Sequence, residues 1–170
     1  PEHTATPTPT PEPTQTPTPT PDGINYANAD YSTGIGTVSG SYLDTQSQDD
    51  AYEALTEAVL EAGPPPKRHD ELSHVWTFNV AAGSSYVFYV DAYKTSSADS
   101  DNFVFAYSKD NSAYTDMVTV TKTADDDVLQ SYTFPEDVSG TLYVRVQDTD
   151  RSQGNMSLDT VYVDEMYVET

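Results

Sequence analysis

Apolar and polar residues alternate along most of this chain from Tyr31 onward. In His74-Val75-Trp76-Thr77-Phe78-Asn79-Val80, an extended backbone puts Trp76, Phe78 and Val80 on one side and Thr77 and Asn79 on the other. That period of two marks a strand with one buried face. The rhythm returns in residues 86–93, 102–107, 117–122, 141–147 and 158–168. Between them lie turn formers such as Ala81-Ala82-Gly83-Ser84 and Asp137-Val138-Ser139-Gly140, whose small and Asx side chains favour chain reversal. Six or more short strands spaced this way predict an all-β protein of antiparallel sheets, a sandwich or a barrel.

Asp50 to Ala62 is rich in helix formers and on propensity alone reads as a helix. Tyr52, Ala54, Thr56 and Ala58 alternate with Glu53, Leu55 and Glu57 without an apolar stripe, and an all-β context overrides propensity, so a strand is expected over residues 51–58. Gly63-Pro64-Pro65-Pro66-Lys67-Arg68 then breaks any regular element and is expected to be an exposed loop.

The first 21 residues are nearly all Pro and Thr. Proline at alternate positions removes amide donors and holds the backbone near polyproline II, so this stretch reads as a stiff spacer of roughly 60 Å. Residues 1–23 are therefore assigned to a disordered Pro/Thr linker and 24–170 to the β-sandwich domain. A tether implies something tethered, and the expectation is a C-terminal module joined through the linker to an upstream domain. Thr between Pro also suits O-glycosylation of an extracellular stalk, which points to a secreted or cell-surface protein.

Charge narrows the partners. The chain carries 28 acidic residues against 7 Lys and Arg, a formal net charge of −21, and such a field repels nucleic acid and anionic membrane surfaces. It keeps a protein soluble and attracts cations. There is no Cys, so disulfides, thiolate metal sites and thiol catalysis are excluded. No apolar run reaches the roughly 18 residues needed to span a bilayer as a helix, and no membrane insertion is expected.

Three stretches carry a resemblance: Gly36-Thr37-Val38-Ser39-Gly40-Ser41-Tyr42-Leu43-Asp44, Asp49-Asp50-Ala51-Tyr52-Glu53, and the ending from Gly140-Thr141-Leu142-Tyr143-Val144-Arg145-Val146 to Val163-Asp164-Glu165-Met166-Tyr167-Val168. Together they resemble the jelly-roll accessory modules of secreted hydrolases, the carbohydrate-binding modules and their galactose-binding-like relatives. The resemblance covers roughly residues 31–168 and lies in strand rhythm rather than in a ligand-reading motif. It implies a non-catalytic domain that binds polysaccharide or surface glycan and often carries a structural Ca²⁺. A Glu near the start of the fold commonly serves that ion; here Ala29-Asp30-Tyr31 stands in about that place.

Among candidate sites, the stretch from Asp148 to Asp159 sets oxygen side chains at relative positions 1, 3, 5 and 12, as a calcium loop does. Gly154 falls one place late for an EF-hand and the flanks read as strands, so that motif is rejected. If residues 141–147 and 158–168 form a hairpin, Asp148 and Asp159 face each other across its end with Asp150 nearby. These three are the candidate Ca²⁺ ligands, the alternative being a solvated turn with an Asp paired to Arg151. Asp99-Ser100-Asp101-Asn102 and Asp125-Asp126-Asp127 read as turn formers. His69 and His74, five apart, do not share a helix face and give little support to zinc. No Gly-x-Ser-x-Gly elbow is present, and the chain reads as no enzyme. Thirteen Tyr and one Trp offer rings to stack on sugars. Trp76 reads as core, while Tyr93, Tyr107 and Tyr114, near strand ends, are the candidate glycan platform. Asn155-Met156-Ser157 is an N-glycosylation sequon. The competing reading is a structural or adhesive surface domain making Ca²⁺-dependent protein contacts.

Overall fold

The computed structural model describes residues 23–60, 63, 67–98 and 100–170. The linker expected over residues 1–23 lies outside them up to Asp22, as do Pro64 to Pro66 and Asp99. Twelve strands are described: β1 Ile24–Ile35, β2 Thr37–Ser39, β3 Glu53–Thr56, β4 Ala58–Leu60, β5 His69–Glu71, β6 Ser73–Val80, β7 Val87–Lys94, β8 Phe103–Ser108, β9 Thr115–Val120, β10 Gln130–Thr133, β11 Gly140–Asp148 and β12 Thr160–Glu169, with one 3-10 turn at Tyr42–Thr45. Every pairing among them is antiparallel.

Two layers result. The first runs β10-β7-β12 and continues to the start of β1, with β3 pairing the beginning of β12 and β2 pairing β3. The second runs β1-β6-β11-β8-β9. Strand β1 serves both: Ile24 to Tyr26 pair with β12, and past an irregularity near Ala27 the strand pairs with β6. Gly36 (φ 92°) turns β1 into β2, where a Cβ would come within 2.8 Å of the Thr56 carbonyl oxygen, so only glycine fits without strain.

The core forms where the alternating faces meet. Trp76, Phe78 and Val80 of β6, Phe88 and Val90 of β7, Phe103 and Phe105 of β8 and Leu142, Val144 and Val146 of β11 are all buried. In β12 the inward set shifts phase, from Val161 and Val163 to Met166 and Val168, because a bulge between Val163 and Glu165 inserts one residue. That residue is Asp164, which the bulge draws into the interior at 2% exposure.

Within the contested stretch, Glu53–Thr56 and Ala58–Leu60 are extended, as β3 and β4, with Leu55 and also Glu53 and Glu57 turned inward, while Glu61 and Ala62 lie outside the described residues. The expected hairpin does not form: β11 pairs with β6 and β8, whereas β12 belongs to the opposite layer. The connection over residues 149–159 crosses between sheets rather than reversing within one, so Asp148 and Asp159 are not cross-strand neighbours.

Candidate ligand-binding face

With Phe88, Val90 and Ala92 turned inward, β7 presents Tyr89, Asp91 and Tyr93 on the outer face of the first sheet. Strand β12 presents Tyr162, Glu165 and Tyr167 there. The register sets Tyr93 opposite Tyr162 and Tyr89 opposite Tyr167, and both pairs stack, with ring centroids 4.8 Å and 5.1 Å apart. Tyr52, just before β3, meets both members of the first pair edge-on at 5.5 Å and 5.9 Å, and Tyr26 of β1 meets Tyr167 at 5.9 Å. Six half-buried tyrosines thus form two trios. The four-residue step from Tyr89 to Tyr93 separates them by about 13 Å along the strand.

Between the trios lies Asp91, 1% exposed. Gln48 Nε2 donates to its Oδ2 at 2.9 Å and Lys122 Nζ to its Oδ1 at 3.1 Å. Gln48 also donates to the Asp127 carbonyl, and Lys122 to the Val128 carbonyl. The Tyr52 hydroxyl donates to Asp125 Oδ2 at 2.7 Å, with Asp50 Oδ1 3.1 Å from the same hydroxyl oxygen. Two loops, before β3 and before β10, are thereby fastened across this face. The Tyr52 bond holds the Asp125 carboxyl below its ordinary range and raises the phenol. The Tyr26 hydroxyl donates to Glu165 Oε1 at 3.3 Å, while burial pushes that carboxyl up.

Asp164 sits beneath the same loops. Its Oδ1 accepts the Asp49 amide at 3.4 Å, and its Oδ2 is buried without a hydrogen-bond partner. Asp50, Asp125, Asp127 and Asp164 each offer a carboxylate oxygen within 4.8 Å of the others, a set able to hold a cation. Burial pushes Asp164 up to about 6. A carboxyl raised above its unfolded value adds stability at low pH and loses it as pH rises through the folded value. In chelator, Asp164→Asn is therefore expected to match the parent near pH 4 and to exceed it by about 2 kcal/mol at pH 7. Urea denaturation across that range measures the difference.

The three tyrosines expected to form a platform are not brought together. Tyr93 lies in the tyrosine face. Tyr107 does not lie on an exposed surface: it is 5% exposed because it shares the inward phase of Phe103 and Phe105, and its ring packs on Phe134 at 4.9 Å. Its hydroxyl reaches the rim and donates to Glu136 Oε1. Tyr114 belongs to the far sheet, where the Arg145 guanidinium lies 3.8 Å over its ring and its hydroxyl donates to Asn111. Tyr26, Tyr52, Tyr89, Tyr162 and Tyr167 escaped the sequence reading. The available signal was Tyr at two positions of one phase in β7; in β12 the bulge hid the match.

Of the expected calcium ligands, Asp148 and Asp159 lie at the same end of the sandwich and Asp150 turns away from them. Asp148 and Asp159 are buried at 4% and 3% exposure, while Asp150 folds back on its own turn, accepting the Ser152 amide at 2.8 Å. Glu57, Asp70 and Asp101, distant in sequence, join Asp148 and Asp159 at this end of the sandwich, all nearly inaccessible. Burial, reinforced by repulsion from Asp70 and Asp101, pushes Glu57 up to about 9. Elsewhere, His74 Nε2 lies 3.3 Å from Glu53 Oε1 and 3.4 Å from Asp30 Oδ2. At the other end of the sandwich a cavity of about 390 Å³ opens between Tyr86, Phe134, Glu136 and Asp137.

No protein-family model and no curated protein matches the sequence. Among solved structures, the chain is similar to TmCBM61 in complex with β-1,4-galactotriose, at 12% identity over 82% of this chain and 85% of that one, TM-score 0.44. It is similar to the CBM22-1 xylan-binding domain from Paenibacillus barcinonensis Xyn10C, at 14% identity over 88% and 95%, TM-score 0.45. It is also similar to a CBM29-2 variant complexed with mannohexaose, at 10% identity over 88% and 92%, TM-score 0.40. Each of these three structures is of a carbohydrate-binding module.

Proposed function

We propose that this chain is a non-catalytic, extracellular module that holds a neutral polysaccharide along the tyrosine-lined face of its first sheet. The observation that carries this reading is the pair of in-register tyrosine stacks, Tyr93 with Tyr162 and Tyr89 with Tyr167. The outer face of an antiparallel sheet ordinarily carries polar side chains, and six half-buried rings gathered on one such face mark an interaction surface. Sugar C–H faces pack on phenol rings, while phenol hydroxyls, carboxylates and amides exchange hydrogen bonds with sugar hydroxyls. Glu165 and Gln48, between and beside the trios, supply such groups. Two trios about 13 Å apart favour a chain spanning several sugars over a single ring.

The net charge of −21 disfavours uronate-bearing and sulfated glycans. In this reading the linker holds an attached partner near an insoluble substrate, raising its effective concentration without new chemistry. Affinity electrophoresis of the full chain tests it, in gels loaded with neutral polysaccharides (xylan, mannan, galactan, mixed-linkage glucan) or anionic ones (polygalacturonate, sulfated galactan). The expected result is retardation by at least one neutral polymer and by none of the anionic ones. Free migration in every gel would remove the glycan reading and leave the adhesive, calcium-dependent one.

A further inference from the structure

The second buried carboxylate group lies away from the tyrosine face, at the end of the sandwich where β11 finishes and β12 begins. It draws on three connections: Glu57 between β3 and β4, Asp101 between β7 and β8, and Asp148 at the end of β11. These residues are 2%, 2% and 4% exposed, and each offers an oxygen within 4.8 Å of the other two. Their orientations are fixed by neutral donors. Glu57 Oε2 accepts the Asp159 amide at 2.7 Å, and Asp148 Oδ1 accepts the Leu72 amide at 2.8 Å. Asp101 Oδ1 accepts the amides of Asn102, Thr149 and Asp150 at 2.6, 3.0 and 2.8 Å.

What these bonds leave over points to a ligand. Among the described residues, Glu57 Oε1 is buried with no hydrogen-bond partner, and so is Asp159 Oδ2. Among the described residues, too, neither Glu57 nor Asp159 forms an ion pair with a Lys, Arg or His. Arg151 reaches Asp148 Oδ2 at 3.3 Å, but it also pairs with Glu71 at 2.9 Å. Asp70, 1% exposed, adds a further negative charge close to Glu57. Burying several carboxylates against so little positive charge is costly unless a cation or protons neutralise them. The donors are all oxygen, the chemistry of a hard divalent ion, and a multi-carboxylate cage drawn from irregular connections suits the flexible coordination of Ca²⁺ better than the strict octahedron of Mg²⁺.

We propose that Glu57, Asp101 and Asp148 bind a calcium ion that ties together three connections at this end of the sandwich, with Asp159 positioning Glu57 through its amide. The set differs from the loop suggested by sequence, since Asp150 is not part of it and Glu57 and Asp101 are. It lies apart from Asp30 near the start of the fold, and apart from the Asp50, Asp125, Asp127 and Asp164 group.

The test uses the full chain stripped with chelator and titrated with CaCl₂ by calorimetry. Mn²⁺ then serves as a paramagnetic probe of location in the unaltered protein. The expected result is saturable calcium uptake with a rise in melting temperature, and Mn²⁺ broadening of amides near residues 57, 101 and 148. Glu57→Gln and Asp148→Asn, each checked for a native circular dichroism spectrum, are expected to weaken this binding by roughly 100-fold, while Asp116→Asn, at an exposed position of β9, leaves it intact. Absence of uptake by the stripped protein overturns the proposal. Broadening confined to residues 50, 125, 127 and 164, or full affinity retained in folded Glu57→Gln, does so equally.

Discussion

Trp76→Ala is expected to cost about 3–5 kcal/mol, enough to bring a domain of ordinary stability close to its unfolding threshold. The side chain is fully buried and stacks on Phe105 at 5.8 Å, with His74 against it edge-on at 4.7 Å, so truncation leaves a cavity lined by rings from β6 and β8. The indole also has a polar task. Its Nε1 donates to Glu53 Oε2 at 2.7 Å, and Glu53 is itself completely buried. Desolvation pushes that carboxyl up, against the lowering effect of His74 and Trp76. Losing the indole donor leaves an oxygen unsatisfied in the interior, a further penalty of about 1–3 kcal/mol. Trp76→Phe separates the two effects, since it keeps most of the ring and removes the donor. Its expected loss, about 1–3 kcal/mol by urea denaturation, reports the hydrogen bond. If Trp76→Phe is neutral, Glu53 is neutralised by His74 or a proton, and the indole contributes packing alone.

The second large effect concerns binding. Tyr162 touches both other rings of the first trio, stacking on Tyr93 and meeting Tyr52 edge-on. Removing its ring withdraws contact area and takes from Tyr93 its stacking partner, leaving it only the edge contact with Tyr52. Tyr162→Ala is expected to weaken retention on the recognised polysaccharide by at least about 30-fold, the scale of a binding hot spot. It should destabilise the fold little, because the ring is half-exposed on the outer face. Tyr114→Ala, on the opposite sheet, is expected to leave retention unchanged. The comparison is read directly in gels containing the polymer, with thermal melts of each variant alongside. Equal retention by the parent and Tyr162→Ala would place the ligand elsewhere, the rim between Tyr86, Phe134 and Asp137 being the next position to examine.

The layered all-β fold was legible because in strands such as β6, β7 and β8 large apolar residues recur at every second position, Trp76, Phe78 and Val80, Phe88 and Val90, Phe103 and Phe105, and carry the phase. Strand β1 was not, since Ala27 is its single buried residue and its other apolar residues, Ile24, Ala29 and Ile35, are exposed or only half-buried and follow no alternation. Such a strand is held by backbone pairing with two neighbours rather than by a stripe of side chains. Residues 50–62 were ambiguous for a different reason: Glu53 and Glu57 point inward, which inverts the usual correspondence of charge with solvent. Their partners, Trp76, Asp101 and Asp148, lie far along the chain and supply no local signal. The hairpin expected between β11 and β12 failed because alternation fixes the face of a strand and not the sheet that it joins.

The tyrosine face was partly visible. Tyr89 and Tyr93 share a phase that can be counted along β7, but their pairing with Tyr167 and Tyr162 depends on cross-strand register and on the bulge at Asp164. Tyr107 shows the opposite failure. Its position near a strand end suggested exposure, yet the phase set by Phe103 and Phe105 carries it into the core.

Assignment of amide resonances in the full chain, followed by titration with a fragment of whichever neutral polysaccharide retards it, tests the glycan-binding face most directly. The expected result is chemical-shift change concentrated on residues 89–93 and 162–167, with Tyr26, Tyr52 and Gln48 at its borders. Change concentrated instead on residues 83–86 and 133–137, or on the Tyr114 side of the far sheet, would contradict the assignment of that face as the ligand site.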